Sequence, residues 1–245
     1  MKLIIRVFER TENAGQAGAM LIGGQMIRKP DSIFGLATGS TPVTTYKQLI
    51  KMTDDKLLDW NRVTTFNLDE YVGLPGDHEQ SYKTFMKAKL FDFVNIRPEA
   101  IHIPDGMAED PGAECMAYER KIREAGGIDL QLLGIGRNGH IGFNEPSDVF
   151  KTLTHCVDLS DDTIEANARF FSQPSRVPRQ AISMGVGTIM KAWQIVLIAT
   201  GSDKARAVAA MVQGPIDPQC PASILQTHPR VTVLLDRAAS VALSR

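Results

Sequence analysis

The segment 133–146, LGIGRNGHIGFNEP, contains residue types that can move protons. His140 stands in a glycine-rich loop after an apolar run, with Asn138 two residues before it and Glu145 five residues after it. Imidazole changes its charge near neutral pH, and a neighbouring carboxylate can fix its orientation. His140, Asn138 and Glu145 are therefore candidates for acid–base catalysis, although a lone histidine more often has a structural role.

Other chemistries fit this segment less well. Gly134, Gly136 and Gly139 satisfy the dinucleotide pattern G-x-G-x-x-G, but that pattern requires a helix to begin at its end. The following HIGFNEP, which ends in Pro146, opposes a helix, so no nicotinamide or flavin cofactor is predicted. No second histidine or carboxylate stands at metal-ligand spacing, and no G-x-S-x-G occurs. We therefore expect neither a metal site nor a serine nucleophile.

A pair of carboxylates follows another apolar run, in FNLDEY (66–71). If the strand continues through Asp69 and Glu70, their side chains point to opposite faces, so at most one faces a shared cleft. A buried carboxylate with few partners has a raised pKa and can act as a base. On its own, however, the fragment is more typical of two solvated carboxylates.

Two Thr-Gly-Ser turns, each between an apolar run and a helical pattern, predict an anion-binding edge. In LATGSTP the turn comprises Gly39, Ser40 and Thr41, and helix N-termini attract anions through unpaired N–H groups. Alternatively, one of the two hydroxyls only caps the helix. In IATGSDKA (198–205), Lys204 lies in the predicted first helical turn, where its charge opposes the helix dipole unless an anion binds. A solvated surface lysine is the alternative.

The hydrophobic pattern of the whole chain places these segments at the ends of strands. Strands are predicted at 3–8, 32–38, 63–69, 100–105, 128–136, 193–200 and 231–236, with a further candidate at 152–160. Helices are predicted at 12–28, 42–52, 79–91, 108–125, within 181–192, and at 202–212. This alternation indicates an α/β fold: a Rossmann-like, open and mostly parallel sheet with helices on both faces. In such sheets, ligands bind beyond the carboxyl ends of the strands.

Composition narrows the range of partners. The 245 residues include 27 basic and 28 acidic side chains, so no basic surface for nucleic acid is expected. The apolar patch at the N-terminus is too short for a signal peptide or a membrane span. Three widely spaced cysteines, Cys115, Cys156 and Cys220, fit reduced thiols in a cytoplasmic protein. No repeat or linker divides the chain, so residues 1–245 are predicted to form one domain.

Taken together, these segments resemble the glucosamine-6-phosphate deaminase family over essentially the whole chain. The matching blocks are, in order, LATGSTP, TFNLDEYVGL, SYKTFM, LLGIGRNGHIGFNEP, ANARFF, ISMGVGTIM and PASILQ. Each block is weak alone, whereas DEY and GRNGHIGFNEP together are highly specific. The resemblance implies conversion of glucosamine 6-phosphate and water to fructose 6-phosphate and ammonia, in amino-sugar catabolism and without a metal or other cofactor.

The resemblance also implies catalytic roles. Asp69 matches the base that moves a proton between C2 and C1 of the sugar, and His140 matches the residue that assists ring opening. Glu145 matches the carboxylate paired with that histidine. Asn138 stands where some members carry aspartate, and this departure is expected to affect the pH optimum or ring opening without abolishing activity.

For the phosphate, the resemblance implies the turn of Gly39, Ser40 and Thr41, together with Lys204 and Arg169 of ANARFF. A guanidinium suits phosphate oxygens; without the resemblance, Arg169 would be read as a surface arginine. A lid is expected at about 151–178. Longer relatives continue beyond the position of Arg245, and residues 155–160 lack the basic side chains with which some of them bind an activator. We therefore expect no such activation, and a monomer or small homo-oligomer.

Three alternative functions remain at this level. A 6-phosphogluconolactonase has a similar fold and also uses a sugar phosphate, but the HIGFNEP and DEY blocks favour the deaminase. Galactosamine 6-phosphate differs from glucosamine 6-phosphate at one hydroxyl, and the sequence does not identify the group that meets it. A non-catalytic sugar-phosphate sensor would keep Lys204 and Arg169 but lose Asp69, His140 and Glu145, all of which are present.

Overall fold

The computed structural model describes residues 3–159, 164 and 177–244. Its strands form two sheets, a seven-stranded parallel sheet in the order β1-β10-β9-β6-β2-β3-β5 and a three-stranded antiparallel sheet in the order β4-β8-β7. The strands are β1 Ile4–Phe8, β2 Ile33–Leu36, β3 Thr64–Asn67, β4 Asp69–Tyr71, β5 Ile101–His102, β6 Leu130–Leu133, β7 His155–Asp158, β8 Gln180–Ser183, β9 Gln194–Ala199 and β10 Val231–Asp236.

Helices cover both faces of the parallel sheet. They are α1 Thr11–Arg28, α2 Val43–Asp54, α3 Tyr82–Lys89, α4 Pro111–Glu124, α5 Val186–Ile189 and α6 Ala205–Gln213. Helices α1 to α3 pack in one apolar cluster, and α4 to α6 pack in another. Strand β9 contributes Ile195 and Leu197 to the second cluster, and Val196 and Ile198 to the first. Burial on both faces explains why the central strands β2, β6 and β9 are rich in apolar residues. The predicted α/β fold is confirmed.

The antiparallel sheet is the main difference from the sequence prediction. The strand predicted at 63–69 ends at Asn67, and a new strand, β4, begins at Asp69 and pairs with β8. The segment 181–192 was expected to contain a helix, but it begins with most of β8 and its helix is limited to Val186–Ile189. A four-residue strand shows too little periodicity to be distinguished from a helix. The candidate strand at 152–160 is confirmed as β7, in this second sheet.

Strand order brings the polar turns to one edge. Neighbouring strands β9, β6, β2 and β3 are parallel, so the segments that follow them meet at their carboxyl ends. The chain proceeds outward from β2 to β3 and, in the opposite direction, from β6 to β9. Ligands bind at such a topological switch point. In the part of the chain that the structure describes, no helix is long and apolar enough to cross a membrane.

Candidate active site

Asp69 begins β4, where the chain leaves the parallel sheet for the antiparallel one. The residue is only 6% exposed, and its Oδ1 has no hydrogen-bond partner among the described residues. Burial, together with the nearby charge of Glu70, raises the pKa of Asp69 to about 8. A carboxylate with an unpartnered oxygen and this pKa is suited to accept a proton near neutral pH.

Glu70 points away from Asp69, as the alternation along a strand predicts. Its carboxylate accepts hydrogen bonds from the backbone N–H groups of Tyr71 at 2.9 Å, Tyr82 at 3.0 Å and Lys83 at 3.0 Å. Glu70 is 2% exposed. The interpretation of DEY as two solvated carboxylates is therefore wrong, since both are buried for different reasons.

The three predicted residues of the histidine loop (134–146) lie together. The Nδ1 of His140 is 3.3 Å from the Oε1 of Glu145. Asn138 donates from Nδ2 to the Oε2 of Glu145 at 2.6 Å, and its Oδ1 accepts from the backbone N–H of His140 at 3.2 Å. Asn138 thus contacts both members of the pair, the backbone of His140 and the carboxylate of Glu145. An aspartate at position 138 could reproduce the contact to Glu145 only if one of the two carboxyls were protonated.

Local chemistry explains why this loop is not a helix. Gly139 and Gly142 have φ angles of +89° and +58°, which favour glycine. The amide of Asn144 donates to the carbonyls of Ile141 at 2.8 Å and Met184 at 2.9 Å. The loop is thereby closed on itself and attached to the residue that follows β8. This geometry agrees with the prediction that the G-x-G-x-x-G match does not open a nucleotide-binding helix.

Ser183 connects the loop to Asp69. Its backbone pairs with Asp69 between β8 and β4, and its hydroxyl accepts from the N–H of Phe143 at 3.0 Å. A Cβ built on Gly142 would lie 3.6 Å from the Oδ2 of Asp69. The structure therefore brings Asp69 and the histidine loop to one place. Sequence reasoning missed Ser183, because only the pairing of β8 with β4 gives it this position.

Gly136 provides a test of how closely His140 is held. A Cβ at this position would lie 2.3 Å from Cε1 of the imidazole, so Gly136→Ala must displace the ring. We expect kcat to fall about 100-fold, since displacement of a catalytic group by about 1 Å has that effect. The steady-state kinetics of Gly136→Ala should be compared with those of Gly24→Ala, because a Cβ added at Gly24 meets no atom within 4 Å. Equal activity of the two variants would contradict this placement of the ring.

The turn of Gly39, Ser40 and Thr41 follows β2. Helix α2 has Pro42 as its N-cap and no side-chain cap, so neither hydroxyl has the capping role that was the alternative. Gly39 has a φ angle of +93°. Next to the turn, the side chain of Thr38 is hydrogen-bonded to that of Tyr82, at the start of α3. The turn therefore lies at the same edge as Asp69, as the strand order requires.

The second turn follows β9 and carries Lys204. The N–H of Gly201 donates to both oxygens of Asp236, each at 3.1 Å. A short 3₁₀ turn, Ser202–Lys204, precedes α6, so Lys204 is the N-cap of that helix and does not lie inside its first turn. The Lys204 side chain is 22% exposed, and burial lowers its pKa. It is not the freely solvated lysine of the alternative interpretation.

Arg137 is a second cation at this edge that sequence reasoning missed. Its Nε lies 3.0 Å from the Oδ2 of Asp203, which is also 3.7 Å from the Nζ of Lys204. Burial alone would raise the pKa of Asp203, but the Arg137 hydrogen bond and the two cationic charges lower it overall. The signal available in the sequence was a basic residue in the loop after β6, since that loop and the turn after β9 follow neighbouring parallel strands.

The predicted residue Arg169 and most of the expected lid lie outside the described residues. No group of three or more histidine, cysteine, aspartate or glutamate side chains that could hold a metal ion occurs within 3–159, 164 and 177–244. The candidate site therefore comprises four predicted acid–base residues, the two turns and two cations; the four are Asp69, Asn138, His140 and Glu145, and the cations are Lys204 and Arg137.

The fold is that of an α/β enzyme, with titratable side chains and two polar turns at the carboxyl ends of its parallel strands. The model of the family described as glucosamine-6-phosphate isomerases/6-phosphogluconolactonase matches residues 25–234. The chain belongs to this family.

Similarity to individual members extends over the full chain. A glucosamine-6-phosphate deaminase of Halothermothrix orenii is 52% identical over 240 residues, covering 98% of this chain and 99% of the relative. That of Clostridioides difficile is 52% identical over 233 residues, covering 95% and 94%. The solved structure of a monomeric glucosamine-6-phosphate deaminase has a TM-score of 0.95 at 43% identity, covering 99% of this chain and all of the other. A 6-phosphogluconolactonase from Thermotoga maritima, at 20% identity and a TM-score of 0.77 over 96% of this chain and 100% of that chain, shares the fold alone.

Proposed function

We propose that this protein converts glucosamine 6-phosphate and water to fructose 6-phosphate and ammonia. The observation that carries the proposal is Asp69, a buried carboxylate whose Oδ1 is unpartnered among the described residues and whose pKa is raised to about 8. It lies next to the loop that holds the His140–Glu145 pair. Relatives about half identical to this chain over its full length bear the name of this activity.

The site residues account for the proton transfers of this reaction. His140, oriented by Glu145 and Asn138, donates a proton to the ring oxygen while the C1 hydroxyl gives up its proton, so the bond between C1 and the ring oxygen breaks and the free aldehyde forms. Asp69 then removes the proton from C2, the electron pair forms the C1–C2 double bond, and O1 takes back a proton, which gives an enolamine. The same carboxyl returns the proton to C1, which gives an imine at C2. Water adds to this imine and ammonia leaves, so that fructose 6-phosphate remains. General acid–base catalysis is sufficient for each step.

The phosphate is assigned to the turn of Gly39, Ser40 and Thr41, together with Lys204 and Arg169. Arg169 is included on the resemblance alone. We add Arg137, because it shares the Asp203 carboxylate with Lys204. Binding the phosphate away from the reacting carbons would orient C1 and C2 at Asp69, and such remote binding energy can lower the barrier.

Lys204→Ala tests the phosphate assignment. A charge-assisted hydrogen bond contributes about 1.5–3 kcal/mol, so we expect KM for glucosamine 6-phosphate to rise about 10- to 100-fold with a smaller change in kcat. The matched control is Lys191→Ala, at an exposed position three residues before β9, at the other end of the sheet. An unchanged KM in Lys204→Ala would remove Lys204 from the phosphate site.

The reaction itself is tested on purified protein, without added metal or nucleotide. Ammonia and fructose 6-phosphate should form from glucosamine 6-phosphate in equal amounts. Galactosamine 6-phosphate is assayed in parallel. If ammonia were released from this sugar alone, the proposed reaction type would stand, but the substrate would be galactosamine 6-phosphate. No release from either sugar would overturn the proposal, and 6-phosphogluconolactone would then be the next substrate to assay.

We also propose that the enzyme acts in the cytoplasm as a monomer. The solved deaminase with 43% identity to this chain is described as monomeric. Light scattering after size-exclusion chromatography should give the mass of one chain, 26.9 kDa. N-acetylglucosamine 6-phosphate is the activator of some longer relatives, and we expect it not to activate this enzyme. The expectation would be contradicted if the rate depended sigmoidally on substrate concentration and this compound made that dependence hyperbolic.

A further inference from the structure

Glu70 lies directly beside the proposed base and is held in an unusual setting. Its carboxylate, 2% exposed, accepts three backbone N–H groups, two of which belong to Tyr82 and Lys83 at the start of α3. Burial raises the pKa of Glu70, whereas the N–H groups that it accepts and the charge of Lys83 act to lower it. A negative charge at a helix N-terminus is also stabilising, and the charge of Glu70 acts on Asp69. Glu70 is thus an anion held in place by α3.

The first residue of α3 connects this anion to the other side of the site. Tyr82, whose N–H donates to Glu70, has its hydroxyl 3.4 Å from that of Tyr71 and hydrogen-bonded to the side chain of Thr38. Thr38 directly precedes the turn of Gly39, Ser40 and Thr41. Strand β4, which carries Asp69, is therefore joined through Glu70 and α3 to the turn proposed to bind phosphate.

Within the described residues, Glu70 is the main charged neighbour of Asp69, because the other groups around Asp69 are neutral or paired with each other. Burial raises the pKa values of four tyrosines, and the nearby charge of Asp69 raises them further, so these side chains are neutral at pH 8; they are Tyr46, Tyr71, Tyr82 and Tyr118. On the histidine loop, His140 and Glu145 face each other. On β8, the residue opposite Asp69 is the uncharged Ser183.

We propose that Glu70 is a positioning residue that keeps Asp69 a strong base by placing a second, fixed negative charge directly behind it. The role rests on the proposed function, since it requires Asp69 to be the base. Glu70 faces α3 and donates no proton to the substrate. Its charge makes the loss of the Asp69 proton less favourable, so the carboxylate, once formed, removes a carbon-bound proton more readily.

Glu70→Gln removes the charge while keeping an oxygen that can accept the N–H groups of Tyr71 and Tyr82. We expect the acid limb of the kcat/KM profile, on which activity rises as Asp69 ionises, to move to lower pH by about one unit. The plateau kcat should fall, because the base is weaker. A purely structural role would lower activity or stability at every pH and leave the position of the limb unchanged.

Two further variants complete the test. Lys83 is exposed, and its charge faces Glu70 and lowers the pKa of that carboxyl against the effect of burial. Lys83→Gln should therefore move the acid limb of the kcat/KM profile slightly to higher pH, opposite to the shift expected for Glu70→Gln. Because Lys83 is exposed, this substitution does not put folding at risk. Glu119→Gln removes another carboxylate with tight contacts, to Thr154 and Thr188, and should leave the limb in place.

The pKa of Asp69 can also be measured without any activity. The protein is labelled with ¹³C at the aspartate carboxyls, and the Asp69 signal is identified as the one that is missing in Asp69→Asn. The chemical shift of this signal is then followed by NMR as the pH is varied. We expect its midpoint to be lower in Glu70→Gln than in the wild type. An unchanged midpoint overturns the role of Glu70, even if glucosamine 6-phosphate is turned over. A shifted midpoint in a protein inactive on this sugar would instead reject the proposed function.

Discussion

We expect Asp69→Asn to lower kcat for glucosamine 6-phosphate by about 10²- to 10⁴-fold, the range over which a positioned general base contributes. The substitution keeps the shape of the side chain and removes only its ability to take the C2 proton. Because the turns proposed to bind the phosphate and the histidine loop are untouched, the dissociation constant of the sugar phosphate should change by less than about tenfold. Steady-state assays of ammonia release and calorimetric titration of the variant measure the two quantities separately.

The control for this variant is Asp236→Asn at the end of β10. Asp236 is also a buried aspartate, 4% exposed, but it accepts from the N–H groups of Gly201 and Ala239. Its loss should weaken the Lys204 turn and raise KM while kcat is largely preserved. Substantial turnover by Asp69→Asn, within about fivefold of the wild type, would remove Asp69 from the role of base.

The same substitution should make the protein more stable at high pH. The pKa of Asp69 is 3.8 in an ordinary environment and about 8 in the folded protein, so folding favours the protonated form. Wild-type stability therefore falls as the pH rises from about 4 to about 8, and the penalty is complete above that range. Asparagine carries no such penalty. In denaturant unfolding we expect a gain on the order of 5 kcal/mol at pH 9, which follows from a shift of this size and disappears below pH 4.

The pairing of Asp69 with the histidine loop shows what the sequence could predict. The apolar run before each turn identifies a strand, and parallel strands place the residues that follow them at one edge. This reasoning located Asp69, His140, Glu145 and Lys204 at that edge, where the structure also has them. It depended only on local periodicity and on a general property of parallel sheets.

The remaining features depend on contacts between distant segments. Ser183 holds Phe143 because β8 pairs with β4, and no local pattern distinguishes four residues of strand from the start of a helix. Glu70 is buried because α3, which begins 12 residues later at Tyr82, directs its first N–H groups at it. The fragment DEY alone therefore suggested a solvated pair. Tertiary pairing also determined that Asp203 is shared between Arg137 and Lys204.

His140→Gln is the second variant with a large expected effect. Glutamine cannot act as a general acid, so proton donation to the ring oxygen is lost and kcat should fall by about 10²- to 10³-fold. His140 is 28% exposed and attached to the fold mainly through its loop, so the melting temperature should change little. Loss of activity without loss of stability indicates a residue that works on the substrate.

His228→Gln is the matched control, because His228 is a structural histidine. It is 5% exposed, its Nε2 is 2.8 Å from the carbonyl oxygen of Ala192, and its Nδ1 accepts from the N–H of Arg230. It precedes β10 and lies at the opposite edge of the sheet, so its replacement should lower the melting temperature and leave kcat almost unchanged. If the two variants instead showed the same modest loss of activity, His140 would have only a structural role and another group would have to donate the proton to the ring oxygen.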